Sequence, residues 1–172
     1  MTQATAPPVA VITGASSGIG LATAKGLAAM GWRIIAVGRN PQRCDAAATA
    51  IAAAGDGRVD MIKADLALMS DVRRVVSEIA ALTERVQVLV NNAGGMATEK
   101  VVTREGLEQN FAANHLGPFL LTTGLIPLLR CAAKESLPGT VRILNTSSDA
   151  SEMIDGLVWD DLQCLQNFTP GA

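Results

Sequence analysis

Residues 9–20 read VAVITGASSGIG, an apolar run that leads directly into a glycine-rich turn. This order predicts a buried strand, a tight turn and then a helix that begins near Ser17. Gly14 allows the chain to turn sharply, Gly18 allows the backbone to approach a bound pyrophosphate, and Gly20 allows the new helix to pack closely. The unpaired N–H groups and positive dipole end of such a helix suit a phosphate.

The glycine spacing is G-x-x-x-G-x-G, which differs from the more common dinucleotide fingerprint G-x-G-x-x-G. An ordinary turn between a strand and a helix is the alternative interpretation. The position between the first strand and the first helix favours a dinucleotide site. The turn supplies six candidate cofactor-binding residues, namely Gly14, Ser16, Ser17, Gly18, Ile19 and Gly20.

Strand-like and helix-like segments alternate along the rest of the chain, which predicts an α/β fold with a Rossmann-like, doubly wound parallel sheet. Residues 1–172 are expected to form a single domain. Ser70 with Asp71 predicts the N-terminal cap of the third helix. The predicted strands are Val9–Thr13, Arg33–Gly38, Val59–Ala64, Val86–Asn91 and Val141–Thr146, and the predicted helices are Ser17–Met30, Pro41–Ala54, Met69–Thr83 and roughly Thr103–Ala133.

Composition narrows the functional classes. The chain has 172 residues, 49% of them hydrophobic, and a formal net charge of −2, so the basic footprint of a nucleic-acid-binding protein is absent. No signal peptide is visible. The most apolar stretch, Leu116–Leu129, is short for a membrane span and contains two prolines, so no membrane partner is expected.

The cysteines and the histidine argue against a metal site. Cys44, Cys131 and Cys164 are odd in number and widely spaced, and His115 is the single histidine. Free thiols in a reducing cytoplasm are therefore the expectation, and no metal ligand set is predicted.

The second predicted strand ends in Gly38, Arg39 and Asn40. Dinucleotide folds that bind NAD usually carry a carboxylate near this point, whereas Gly38 has no side chain and Arg39 carries a permanent positive charge. A guanidinium can bind a 2′-phosphate with two parallel hydrogen bonds. The sequence therefore predicts NADP rather than NAD, with an exposed loop charge as the alternative for Arg39. Arg43 could assist or could lie on the helix surface.

Polar or small residues also follow the next two strands. Asp65 and Leu66 end the third strand, where the carboxylate could bind adenine or could cap its own loop. The fourth strand ends in Asn91–Gly95, whose amides and small residues suit a close approach to a ligand, although a simple turn is the alternative. The candidate cofactor-binding residues here are Asp65, Leu66, Asn92, Ala93 and Gly94.

Together these segments resemble the short-chain dehydrogenase/reductase family. The similarity covers nearly the whole chain and implies an oxidoreductase that transfers hydride between a nicotinamide and a small-molecule alcohol or carbonyl. Family members favour dimers or tetramers, so a homo-oligomer is expected. The matching motifs are TGASSGIG at 13–20, Asp65-Leu66, NNAG at 91–94, NHLG at 114–117 and NTSS at 145–148.

The resemblance implies two catalytic residues in this chain. Ser148 matches the serine that polarises the substrate oxygen, with Ser147 as runner-up, and Asn114 matches the asparagine of the proton relay. The alternative for the serine is a hydroxyl bonded to its own loop. For Asn114 the alternative is a structural amide inside the helix.

The family also uses a Tyr-x-x-x-Lys pair, and this sequence contains no tyrosine. Residues 159–163 and 167–172 resemble the retinol-dehydrogenase-like branch, in which the tyrosine follows directly. We therefore expect that the chain is truncated and lacks the last strands and one helix of the family's dimer interface. We also expect that it has no activity of its own. The residues at 153–159 could line an apolar substrate pocket or pack against the missing part. A catalytically inactive dinucleotide-binding module or sensor is the alternative.

Overall fold

A computed structural model describes residues 6–55, 58–149 and 156–168. The strands form one five-stranded, entirely parallel sheet in the order β3-β2-β1-β4-β5. The predicted doubly wound sheet is therefore confirmed for its first five strands. The bounds are β1 Val9–Thr13, β2 Arg33–Gly38, β3 Val59–Lys63, β4 Val88–Asn91 and β5 Arg142–Asn145.

Four long helices connect these strands. They are α1 Gly18–Ala29, α2 Pro41–Ala52, α3 Met69–Leu82 and α4 Gln109–Lys134. Helix α4 contains a π-helical turn at Ala112–Leu116, between α-helical parts at Gln109–Phe111 and Gly117–Lys134.

The fourth helix begins six residues later than the predicted start at Thr103. Residues 103–107 instead close a turn, in which the Thr103 N–H donates to the Leu107 carbonyl and the Gly106 N–H donates to the Thr103 carbonyl. The Thr103 hydroxyl accepts from the Leu107 N–H at 3.2 Å. Local side-chain bonding of this kind competes with a helix, which explains the error.

The sheet is covered on both faces by separate apolar clusters. Ala24 and Ala28 of α1 pack with Ile51 of α2 against one face. On the other face, α3 packs beside α4, with Leu121 and Leu125 fully buried. Helical spacing thus places one apolar side of each helix on the sheet, as the alternating pattern of the sequence requires.

The start of α3 is capped from a distant loop rather than by Ser70 and Asp71. Both carboxylate oxygens of Glu105 accept backbone hydrogen bonds, from Met69 N–H at 2.6 Å and from Ser70 N–H at 3.1 Å. Asp71 Oδ2 instead accepts from the Asp65 N–H at 2.9 Å. The predicted local cap was therefore wrong, and the carboxylate that replaces it fastens the loop before α4 onto α3.

Helix α4 spans 26 residues and is long and apolar enough to cross a membrane by length and composition. The prediction that the apolar stretch of this helix is too short for a membrane span was therefore wrong about length. The core helix of a soluble protein meets the same criterion, and Leu121, Leu125 and Leu129 of α4 lie in the core. The absence of a membrane partner stays a prediction.

Strand β5 forms one edge of the sheet, and all four of its residues are exposed. Ile143 and Leu144 remain 43% and 48% exposed. Strand β5 is therefore an edge strand with partly exposed apolar side chains, a feature that favours pairing with further polypeptide.

Candidate functional site

A cleft of about 450 Å³ opens at the carboxyl ends of β1, β2, β3 and β4. In an open parallel sheet this edge is where ligands bind. Ten of the thirteen predicted cofactor-binding residues line the cleft, namely Gly14, Ser16, Ser17, Arg39, Asn40, Asp65, Leu66, Asn92, Ala93 and Gly94. Gly38, at the end of β2, lines it as well. Gly18, Ile19 and Gly20 are not among the lining residues, and their contact with a cofactor stays a prediction.

The glycine turn after β1 is shaped by two close approaches. Gly14 has a φ of +66°, and a Cβ there would lie 2.8 Å from Asn92 Nδ2. A Cβ on Gly20 would lie 2.4 Å from the Gly14 carbonyl oxygen. Both positions therefore require glycine, and Gly20 packs against the turn itself rather than against the strand.

Thr13 organises the turn from the end of β1. Its hydroxyl oxygen accepts hydrogen bonds from the Asn92 N–H at 3.0 Å and the Ala93 N–H at 2.9 Å, and the hydroxyl faces the Val90 carbonyl at 3.3 Å. Asn92 Nδ2 in turn donates to the Thr13 carbonyl at 3.0 Å. Thr13 is missing from the sequence-based set, although a polar side chain ending an apolar strand is a recognisable signal.

Two arginines line the cleft near the end of β2, namely Arg39 directly after the strand and Arg43 in the first turn of α2. Within the described residues, no ion pair involves either arginine. Asn40 Oδ1 accepts from the Arg43 N–H at 2.9 Å and so caps α2, ahead of a proline at the first helical position. Asn40 therefore has a structural role besides its place in the cleft.

Asp65 and Leu66 line the cleft after β3. Asp65 Oδ1 accepts from the Ala67 N–H at 3.0 Å, so the loop-capping alternative is realised. The second carboxylate oxygen is not used in that bond, and contact with adenine stays a prediction.

The amide of Asn114 lies in the π-helical turn and is engaged by the loop after β4. Its Oδ1 accepts from the Gly95 N–H at 3.1 Å, and its Nδ2 donates to the Gly95 carbonyl at 2.8 Å. This pair fixes the loop that separates two clefts. The side chain is exposed and bonds to the loop rather than inside its own helix, and a relay role stays a prediction.

A second cleft of about 340 Å³ adjoins the first across Asn92–Gly95. Ser147, Ser148 and Asn114 line it, so the two predicted catalytic residues lie at one site. The Ser148 hydroxyl donates to Asp149 Oδ1 at 3.3 Å. Of the loop at 153–159, residues 153–155 lie outside the described residues.

The main cleft fits a dinucleotide. Ser17 at the start of α1 makes no side-chain cap, and a Cβ on Gly18 would meet open space, so that helix end can take a phosphate. Arg39 and Arg43, which follow the neighbouring strand β2, add positive charge to the same cleft. Among the described residues, no group of three or more His, Cys, Asp or Glu side chains is placed to hold a metal ion.

Comparison with known proteins agrees with this geometry. The family model described as short chain dehydrogenase matches residues 8–157. The chain belongs to the short-chain dehydrogenase family.

Several curated relatives of this short-chain dehydrogenase chain are about twice its length. Polyprenol dehydrogenase of Homo sapiens is 34% identical over 165 residues, covering 95% of this chain and 49% of that protein. Retinol dehydrogenase 13 of Homo sapiens is 38% identical, covering 88% and 44%. Short-chain dehydrogenase TIC 32 A, chloroplastic, of Brassica napus is 32% identical, covering 88% and 48%. The chain thus spans about half the length of the curated relatives it matches, and the retinol-dehydrogenase-like branch is confirmed.

Solved structures of the family share the fold. Pseudomonas aeruginosa RhlG, in an NADP active-site complex, matches with a TM-score of 0.72 and 32% identity, covering 85% of this chain and 56% of that one. The NADH-dependent reductase A1-R′, complexed with NAD, also matches with a TM-score of 0.72, at 28% identity, covering 87% and 63%.

Proposed function

We propose that this chain is the cofactor-binding part of an NADP-dependent oxidoreductase that interconverts an apolar alcohol and the corresponding carbonyl compound. The single observation that supports NADP is the end of β2, where Gly38 offers no carboxylate while Arg39 and Arg43 line the cleft. One solved relative is a complex with NADP and another is a complex with NAD. Both support a nicotinamide dinucleotide as the class of cofactor.

Different residues of the main cleft bind different parts of the cofactor. The open helix end at Ser17 and Gly18 binds the pyrophosphate through backbone N–H groups. Arg39 binds the 2′-phosphate, and Asp65 faces the adenine. The bound nicotinamide supplies the hydride-transfer chemistry.

The second cleft holds the substrate oxygen. The Ser148 hydroxyl donates a hydrogen bond to that oxygen and stabilises the negative charge that develops there. Asn114 keeps the Gly95 loop in place between the two clefts. Since the sequence contains no tyrosine, we propose that the proton donor and its lysine partner belong to further polypeptide and that this chain alone does not turn over substrate.

The apolar substrate class is supported by two observations. Leu157, Val158 and Trp159 are each more than 60% exposed, at 62%, 62% and 77%. Two relatives are named for polyprenol and retinol, which are both apolar alcohols. Assembly into a homo-oligomer and a cytoplasmic location belong to the same proposal.

The alternative function is a catalytically inactive dinucleotide-binding module or sensor. The absence of tyrosine favours it. It shares the cofactor site with the first proposal and differs only in turnover. A reading frame that continues into a Tyr-x-x-x-Lys motif would exclude it, whereas a stop after residue 172 would support it.

Replacement of Arg39 tests the choice of cofactor. Arg39→Asp removes the partner of the 2′-phosphate and adds a carboxylate that can bind ribose hydroxyls, so affinity for NADP should fall relative to affinity for NAD. A lost charge-assisted pair corresponds to about 1.5–3 kcal/mol. Isothermal titration of wild type and variant with both cofactors measures the change.

Arg130→Asp is the matched control, because Arg130 is exposed and lines neither cleft. It makes the same change of charge and should leave the ratio of the two dissociation constants unaltered. An unchanged ratio in Arg39→Asp would refute the assignment of NADP.

A further inference from the structure

The end of β2 carries a glycine for a spatial reason. Gly38 is not among the glycines with positive φ, so its backbone conformation is open to any residue. A Cβ built on it would lie 2.7 Å from Cys44 Sγ, 3.0 Å from Ser16 Cβ and 3.1 Å from Ser16 Oγ. The first of these separations is shorter than real carbon–sulfur contacts, so a side chain at 38 requires Cys44 to move.

Cys44 is enclosed by the fold, and its backbone is bonded to a residue of the cleft. The residue is fully buried, at 0% exposure, in the first turn of α2. Its N–H donates to the Asn40 carbonyl at 2.9 Å, and the Asn40 side chain accepts from the Arg43 N–H. Asn40 and Arg43 both line the cleft, whereas Cys44 does not. A shift of the Cys44 backbone would therefore reach two residues that line the cleft.

We propose that Cys44 is a positioning residue for the choice of dinucleotide, because its buried thiol occupies the space that a carboxylate-bearing side chain at 38 would need. Cys44 and Ser16 together leave no space for an acidic side chain at the end of β2. Arg39 is then the residue that recognises the cofactor there. The inference deepens the proposed function and rests on it for the identity of the cofactor. It predicts that an acidic substitution at position 38 does not produce NAD binding while Cys44 is present.

The experiment compares Gly38→Asp with the double variant Gly38→Asp/Cys44→Ala in the full chain. With the thiol present, the aspartate displaces the turn, and NAD binds weakly. Removal of Sγ eliminates the shortest of the three contacts, so the double variant should bind NAD at least about tenfold more tightly than Gly38→Asp does. Equal NAD affinities in the two variants would overturn the inference.

Thermal unfolding gives a second readout that needs no cofactor. Gly38→Ala adds only the Cβ and should lower the unfolding midpoint more than the control Gly26→Ala, since a Cβ on Gly26 meets open space. In Gly38→Ala/Cys44→Ala the midpoint should recover part of that loss, although Cys44→Ala alone leaves a small cavity. Losses that simply add would overturn the inference.

The two proposals fail in different ways. A wild-type chain that prefers NAD, or binds neither cofactor, contradicts the proposed function and the role of Cys44 in cofactor choice, while the unfolding comparison still reports on the packing. A wild-type preference for NADP with additive unfolding losses refutes the inference alone.

Discussion

Thr13 shows how one side chain holds the two central strand ends of the site in register. Its oxygen accepts the N–H groups of Asn92 and Ala93, which follow β4, while its own backbone leads into the glycine turn. Thr13 is 2% exposed, so water does not replace these bonds easily. Removal of a buried acceptor leaves its donors unsatisfied.

Thr13→Val should therefore destabilise the chain, because valine keeps the shape but accepts no hydrogen bond. The expected decrease in the free energy of unfolding is about 1–3 kcal/mol for each unsatisfied N–H group. Thr13→Ser is the matched variant that retains the hydroxyl and should lose much less. Urea denaturation of the three proteins measures the difference, and equal losses in valine and serine variants would contradict the role of the hydroxyl.

Elements were predictable where the cause is local, and less so where it is distant. The glycine turn, all five strands and the cleft-facing residues from Arg39 to Gly94 follow from apolar runs and from the chemistry at strand ends. The cap of α3 could not be predicted in this way, because Glu105 lies 36 residues from Met69 along the chain. The bonds between Asn114 and Gly95 likewise depend on how the helix and the loop meet in space.

The start of α3 should make stability depend on pH. Hydrogen bonds from the Ser70 side chain and backbone, followed by the Met69 N–H, lower the pKa of Glu105 below its ordinary value of 4.5. A carboxylate with a lowered folded-state pKa stabilises the fold above its unfolded pKa, and this contribution disappears as the pH falls through the folded pKa. The loss is therefore expected below pH 4.5.

Glu105→Gln removes the charge and should make the stability depend less on pH in this acidic range. Unfolding midpoints of wild type and variant should differ at about pH 6 and converge towards about pH 3. Glu84→Gln is the control, because Glu84 follows the other end of α3 and its replacement makes the same change of charge away from the cap. A constant difference between wild type and Glu105→Gln would contradict the proposed cap.

The whole molecule combines one cleft at the strand ends with an edge strand whose apolar side chains are partly exposed. The glycine turn, the β2 end and the Asn92–Gly95 loop converge on one cleft, whereas β5 leaves Ile143 and Leu144 partly exposed at the sheet edge. Relatives about twice as long belong to the same family. In the proposed function, the cleft binds the cofactor and turnover requires further polypeptide.

Titration of the ¹⁵N-labelled chain with NADP, followed by amide NMR, tests the central claim most directly, because it reports both binding and its location. The account predicts saturable shifts concentrated at the glycine turn, at Arg39, at Asp65 and at Asn92–Gly95, with weaker shifts for NAD at equal concentration. Shifts confined to other surfaces, or none at all, would contradict it.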